Sequence, residues 1–289
     1  MEYTLRRLES IDEYRACERM QQEAWGFADA LDVIPQSQLV TAQKYGGLAL
    51  GAFDADDRLR GFCYGFLGRD SRQRLVHCSH MLAVDATARN AGLGARLKWA
   101  QRQMALDVGV ELMVWTFDPL ESLNACFNFD KLGVVSDQYL VNLYGETTSR
   151  LHAGTATDRL TVQWFLRSER VMARLGGERG ALAAALAAGK VRAPWALRGQ
   201  WSSGLLRPRD PRLDLEGPRL RCEIPAEIQR LKASDAGASV AWRQATRAVF
   251  THYLNAGFYV RECVRTVGSP PRTVYLLERG SCEPKGLAE

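Results

Sequence analysis

The stretch that most constrains this chain runs from His77 to Leu97, HCSHMLAVDATARNAGLGARL. An apolar run ending in Met81-Leu82-Ala83-Val84 enters Arg89-Asn90-Ala91-Gly92-Leu93-Gly94, which leads straight into an amphipathic segment from Ala95 to Leu106. This order predicts a strand, a glycine turn and a helix. Two glycines at such a turn let backbone N–H groups approach an anion with no Cβ in the way, and the emerging helix adds the positive end of its dipole. A phosphate is the expected guest, with a plain tight turn as the alternative. The dinucleotide pattern G-x-G-x-x-G is not met, because position 97 is Leu, and no Gly-Lys-Ser/Thr follows to make a P-loop.

Upstream, Met1 to Leu8 reads as a first strand and Ile11 to Trp25 as an amphipathic helix, with Ile11, Tyr14, Cys17, Met20 and Trp25 near helical spacing. Gln36 to Lys44 is open between helix and loop. Gly47 to Asp54 and Leu59 to Leu67 flank a polar turn and predict a hairpin, and Arg74 to Val84 is the next strand. Downstream, Glu111 to Thr116 is a compact apolar strand closed by Asp118-Pro119. Leu123 to Leu132 is a helix capped at Gly133, and Val134 to Tyr144 holds one or two closing strands.

Composition bounds the rest. With 289 residues, 46% hydrophobic and 25% charged, the chain has the material for one or two ordinary globular domains. No basic-then-apolar leader and no membrane-length apolar run is seen, so a cytoplasmic protein with no membrane partner is expected. The seven cysteines are scattered and never in C-x-x-C spacing, and there are four histidines, so free thiols and no metal are expected. Residues 151–289 carry 22 Lys/Arg against 13 Asp/Glu, but the arginines are dispersed without interleaved aromatics, and no nucleic-acid partner is expected. Past Arg170 the composition shifts. Ala/Gly-rich 176–190 and Pro/Arg-rich 192–221 suggest a variable segment over 171–221, followed by an ordered αββ extension over 222–289 that packs on or extends the sheet. Phe250 to Phe258 weakly echoes Phe127 to Val134, and any αββ unit would do so.

The turn Arg89-x-x-Gly92-x-Gly94 resembles the R/Q-x-x-G-x-G/A loop of the GNAT acyltransferase superfamily. Asn124 to Val134 matches a later segment of that family at Lys131 and Gly133, with Asn124 two residues too close to them. WTFDPLESLNACFNFDKLG and the run Leu151 to Trp164, with Asp158-Arg159 inside it, resemble a longer subgroup of the same family. The resemblance covers residues 1–170 and implies an α/β GNAT-type fold: a mixed, mostly antiparallel sheet flanked by helices, with a C-terminal αβ extension. It also implies an acyl-CoA-dependent N-acyltransferase moving an acetyl or succinyl group to a small, amino-acid-like amine; a homodimer is left open. The alternative is a GNAT-like module that binds coenzyme A or another ligand without turnover.

The resemblance implies that Arg89, Asn90, Ala91, Gly92, Leu93, Gly94 and Ala95 hold the pyrophosphate of acetyl-CoA or another acyl-CoA. The edge of Leu82, Ala83 and Val84 would pair with the pantetheine arm, which Asn124 would also reach, and a backbone N–H of that strand would polarise the thioester. The family's usual proton-donating tyrosine is Phe129 here, which cannot donate. Acyl transfer to an amine still needs a proton route. The candidates are His80, on the strand beside the expected thioester, then His77, Asp118 and Glu121; each also has a structural alternative as a packed core residue, a turn or a helix cap. Arg159 could grip an acceptor carboxylate through two parallel hydrogen bonds, with Asp158 beside it, or the two could form a structural ion pair.

Overall fold

The computed structural model describes residues 2–27, 29, 32–89, 91–145, 154–202, 204–267 and 272–284. The chain clusters into two compact units, one running to Trp115 and the other made of Thr116–Gly145 and the residues from Gly154 onward. This division falls elsewhere than the boundaries at 170 and 221 suggested by composition.

In the first unit, β1 (Thr4–Arg7), β2 (Leu48–Phe53), β3 (Leu59–Arg69) and β4 (Leu75–Val84) pair in that order, all antiparallel, and β5 (Leu112–Phe117), which belongs to this unit as far as Trp115, joins β4 in parallel at Met113 and Val114. Helices α1 (Ile11–Trp25) and α2 (Gln36–Lys44) pack on one face: Tyr14, Cys17, Met20 and Leu39 meet Phe53, Phe62, Tyr64, Met81 and Ala83. On the other face, Leu93 and Leu97 of α3 (Leu93–Asp107) meet Leu48, Leu50, Ala52 and Cys63. β2 is buried at all six positions because it has a helix layer on each side. α1 starts at a capping box, in which the Ser10 hydroxyl accepts from Glu13 N and the Glu13 carboxylate accepts from Ser10 N, and it stops at left-handed Gly26.

The second unit holds β6 (Val135–Leu140), β7 (Arg159–Phe165), β8 (Trp195–Leu197), β11 (Arg219–Ile224), β12 (Phe258–Arg265) and β13 (Thr273–Arg279), in the order β7-β6-β12-β13-β11-β8. Here β8 pairs in parallel, with β11, and β9 (Gly199–Ser202) forms a separate hairpin with β10 (Leu205–Pro208). The helices are α4 (Ser122–Cys126), which runs on as a π-helical turn over Phe127–Leu132, α5 (Glu169–Leu175), α6 (Ala181–Ala187), α7 (Ile228–Ser234) and the long α8 (Ala236–Asn255). The α/β class and its mostly antiparallel, helix-flanked sheets are as the sequence implied. The tail extends a sheet, since β12 pairs with β6 at Val260 and Ser136.

Residues 171–221 depart from expectation. They hold the end of α5, all of α6, the strands β8, β9 and β10 and the start of β11; Ala183, Leu186 and Ala187 of α6 are buried against Val264, Val274 and Leu276. Small side chains let this helix lie close to the sheet, so alanine richness marks close packing here and not a variable loop.

Candidate functional site

The expected phosphate turn has the predicted form. β4 ends at Val84, Asp85 caps a short 3-10 turn by accepting from Thr87 N, and Gly92 stands as the N-cap of α3 at φ +74°. A Cβ on Gly92 would meet nothing within 4 Å among the described residues, so its glycine requirement is conformational. Among the described residues, nothing accepts from the N–H groups of Leu93 and Gly94. Ala95 differs from expectation, because its N–H already donates to Gly92 O at 3.1 Å. Arg89 is exposed, and its Nε donates to Val84 O at 3.3 Å, on the strand end that precedes the turn. Ala91 is exposed too, while Asn90 lies outside the described residues.

Beside the turn, β4 and β5 part. They pair only at His77 with Met113 and at Cys78 with Val114. From Ser79 to Val84, β4 is bonded on its β3 side, where Leu82, Ala83 and Val84 face Cys63, Phe62 and Gly61. Its other edge carries no strand among the described residues, so backbone groups there are available to an extended ligand. The register with β3 slips between Tyr64 and Gly65, which leaves His80 as the extra residue of a β-bulge.

The bulge turns His80 outward. It is exposed, with Tyr64 edge-on at 6.3 Å and Phe66 at 6.1 Å between ring centroids. These apolar neighbours lower its pKa by desolvation, so the imidazole is neutral at pH 7 and able to accept a proton. His77 is different: it is buried, with its Nε2 3.2 Å from Gln101 Nε2, and burial first, then the charge of Lys98, lowers its pKa to about 4. Gly65 makes room for it, as a Cβ there would stand 2.2 Å from His77 Nε2.

Behind the open edge lies a group the sequence reading missed. Lys98 is buried on α3, its Nζ donates to Ser79 Oγ at 2.8 Å and to Gln101 Oε1 at 3.0 Å, and it lies 3.7 Å from the centroid of the Trp115 ring. The available signal was its helical register with Leu97, Gln101 and Ala105, which puts a lysine on the buried face.

The remaining candidates belong to the second unit. Asp118 was a candidate proton acceptor, but its carboxylate is buried and gripped by both Nη atoms of Arg243, at 2.8 and 2.5 Å, and also accepts from Leu120 N. That is a structural ion pair. Glu121 keeps a raised pKa, because desolvation outweighs the hydrogen bond from Gln229. Asn124 is exposed and accepts from Asn128 Nδ2 at 3.3 Å. Asp158 takes Arg247 as its bidentate partner, at 2.8 and 2.9 Å, with Tyr139 Oη and Asn142 N also donating to it. The expected pairing with its neighbour Arg159 is thus replaced. Arg159 turns its guanidinium over the Tyr144 ring at 5.2 Å, and burial lowers its pKa. Phe129 is fully buried against Phe117 and Tyr275.

Among the described residues, no group of three His, Cys, Asp or Glu side chains is arranged to hold a metal ion, and no helix is long and apolar enough to cross a membrane. No protein-family model and no curated protein matches the sequence. Solved structures similar to this chain include the ribosomal-protein-S18-alanine N-acetyltransferase from Escherichia coli, at TM-score 0.46 and 16% identity over 58% of this chain and 96% of that one. An N-acetyltransferase from Staphylococcus aureus Mu50 aligns at TM-score 0.47 and 14% identity, over 58% of this chain and all of the other. A GNAT superfamily phosphinothricin acetyltransferase from Sinorhizobium meliloti, in complex with AcCoA, aligns at 0.46 and 15%, over 56% and 88%.

Proposed function

We propose that the chain is a GNAT-type N-acyltransferase that moves an acetyl or succinyl group from acyl-CoA to the amine of a small, amino-acid-like acceptor. The observation that carries this reading is the fork between β4 and β5, which opens beside the glycine turn at the start of α3. An anion and an extended amide-bearing arm are the two parts of coenzyme A, and the turn and the strand edge offer one binding feature for each. The turn supplies N–H groups and a helix dipole to the pyrophosphate. The free edge of Leu82 to Val84 supplies strand-like hydrogen bonds to the arm, which leads toward Ser79 and His80.

In this reading His80 acts as the general base. The acceptor nitrogen attacks the thioester carbon, the C–N bond forms, the C–S bond breaks, and the sulfur leaves with the electron pair. His80 takes the proton that the amine loses, directly or through one water. Phe129, buried and without a donor, has no part in that route.

Thiol release from acetyl- and succinyl-CoA, measured against a panel of amino acids and simple amines, tests the proposal. Turnover above the amine-free background with one acyl donor and one acceptor class supports it. Coenzyme A binding with no turnover on any pair would favour a binding module instead.

A further inference from the structure

The fork closes on a buried amine for which the proposed reaction has so far had no use. Cys78 and Val114 are the last residues at which β4 pairs with β5. The next residue on each strand, Ser79 and Trp115, touches Lys98 Nζ: the serine hydroxyl at 2.8 Å and the indole ring at 3.7 Å. The ammonium therefore stands where the strands separate. An extended arm entering at the turn and following β4 from Val84 back to Ser79 covers five residue steps, ~16 Å at strand rise, and ends at this point. Burying a lysine among apolar residues is unfavourable unless its donors are met, and here Ser79, Gln101 and the π-face of Trp115 meet them.

We propose that Lys98 is a catalytic residue whose ammonium stabilises the negative charge that develops on the thioester oxygen, and then on the departing sulfur, when an acyl-CoA occupies the fork. The inference rests on the acyltransferase reading above. A fixed charge in a water-excluded site acts on a transition state far more strongly than the same charge in solvent. Lys98 gives up no proton in this step; the amine's proton goes to His80, and the thiolate leaves with its electron pair.

The surroundings make this charge sensitive to pH. The groups facing Lys98 include Gln101 on its own helix, His77, Ser79 and Cys78 on β4, Cys63 on β3 and Trp115 on β5. His77 is neutral at pH 7, and burial raises the pKa of Cys63 to about 12 and also raises that of Cys78. Burial lowers the Lys98 pKa to about 7, against smaller raising effects of Cys63 and Cys78. The ammonium is lost as pH rises through that value, so kcat falls on the alkaline side.

The test is kcat and KM on the full chain from pH 6 to 9, with an acyl-CoA and acceptor that turn over. Lys98→Met, close in shape and without charge, is expected to lower kcat by about 10²-fold or more while the KM for acyl-CoA stays within about threefold. Lys98→Arg, charged at every pH used, is expected to keep part of the rate and to lose the alkaline fall seen in the wild type. A folded Lys98→Met with near-normal kcat overturns the proposal. So does an alkaline fall that Lys98→Arg leaves in place, and that arm decides the matter if the methionine variant does not fold. Calorimetry of the wild-type chain with coenzyme A separates the two ideas: no binding there overturns the acyltransferase reading itself, whereas binding with an indifferent Lys98 overturns only this inference.

Discussion

Replacing Arg243 by Met should destabilise the protein far more than it slows any chemistry. The Arg243 guanidinium and the Asp118 carboxylate meet through two parallel hydrogen bonds, with side chains only 7% and 5% exposed. Burial alone disfavours the charged arginine, and the facing Asp118 charge more than restores it, so the Arg243 pKa is raised. Removing the arginine leaves a buried carboxylate without its counter-charge, which costs about 3–5 kcal/mol, a factor of roughly 10²–10³ or more in the folded population. Neutralising the other partner as well, in Asp118→Asn/Arg243→Met, removes the stranded charge and should recover a large part of the loss. Urea unfolding of wild type, both single variants and the double variant, followed by circular dichroism, gives the four free energies of the cycle. A loss below about 1 kcal/mol for Arg243→Met would refute the argument. So would an Asp118→Asn variant of wild-type stability that abolished thiol release, since that would return Asp118 to the role of proton acceptor.

Two further outcomes follow from the histidines. His80→Gln keeps much of the size but cannot accept a proton at neutral pH, so kcat/KM should fall by about 10²-fold or more with acyl-CoA binding nearly unchanged; retained activity with an unmoved pH profile would make His80 a packing residue. His77, with its pKa lowered to about 4, binds fewer protons in the folded than in the unfolded chain between that value and 6.5. The protein should therefore lose stability as pH falls from about 6.5 toward 4, by at most about 3 kcal/mol. His77→Gln should flatten that slope in urea midpoints, and a wild-type midpoint constant from pH 7.5 to 4.5 would contradict the assignment.

What the sequence made legible was local. The helix from Ile11 to Trp25, the polar hairpin turn after Asp54 and the strand–glycine–helix around Gly92 each depend on residues close in the chain, and each formed where the sequence placed it. What stayed hidden depends on distant partners. Asp118 looked like a base at a strand end because its arginine stands 125 residues away. Asp158 likewise found Arg247, 89 residues on, instead of its neighbour. The outward turn of His80 comes from a register slip against β3, which no spacing within β4 reports. Strands β8 to β10 were obscured by prolines and arginines, because β8 is only three residues long and is fixed by pairing with β11.

If the fork and the turn beside it hold coenzyme A, native mass spectrometry of the full chain with added coenzyme A, run beside Gly92→Val, will show it. That variant puts a branched side chain at φ +74° with nothing within 4 Å of its Cβ among the described residues, so the backbone at the turn is strained while the rest of the unit is untouched. The expected result is one coenzyme A per wild-type chain and an affinity at least about tenfold weaker in the folded variant. Equal occupancy in both proteins, or none in the wild type, would contradict it.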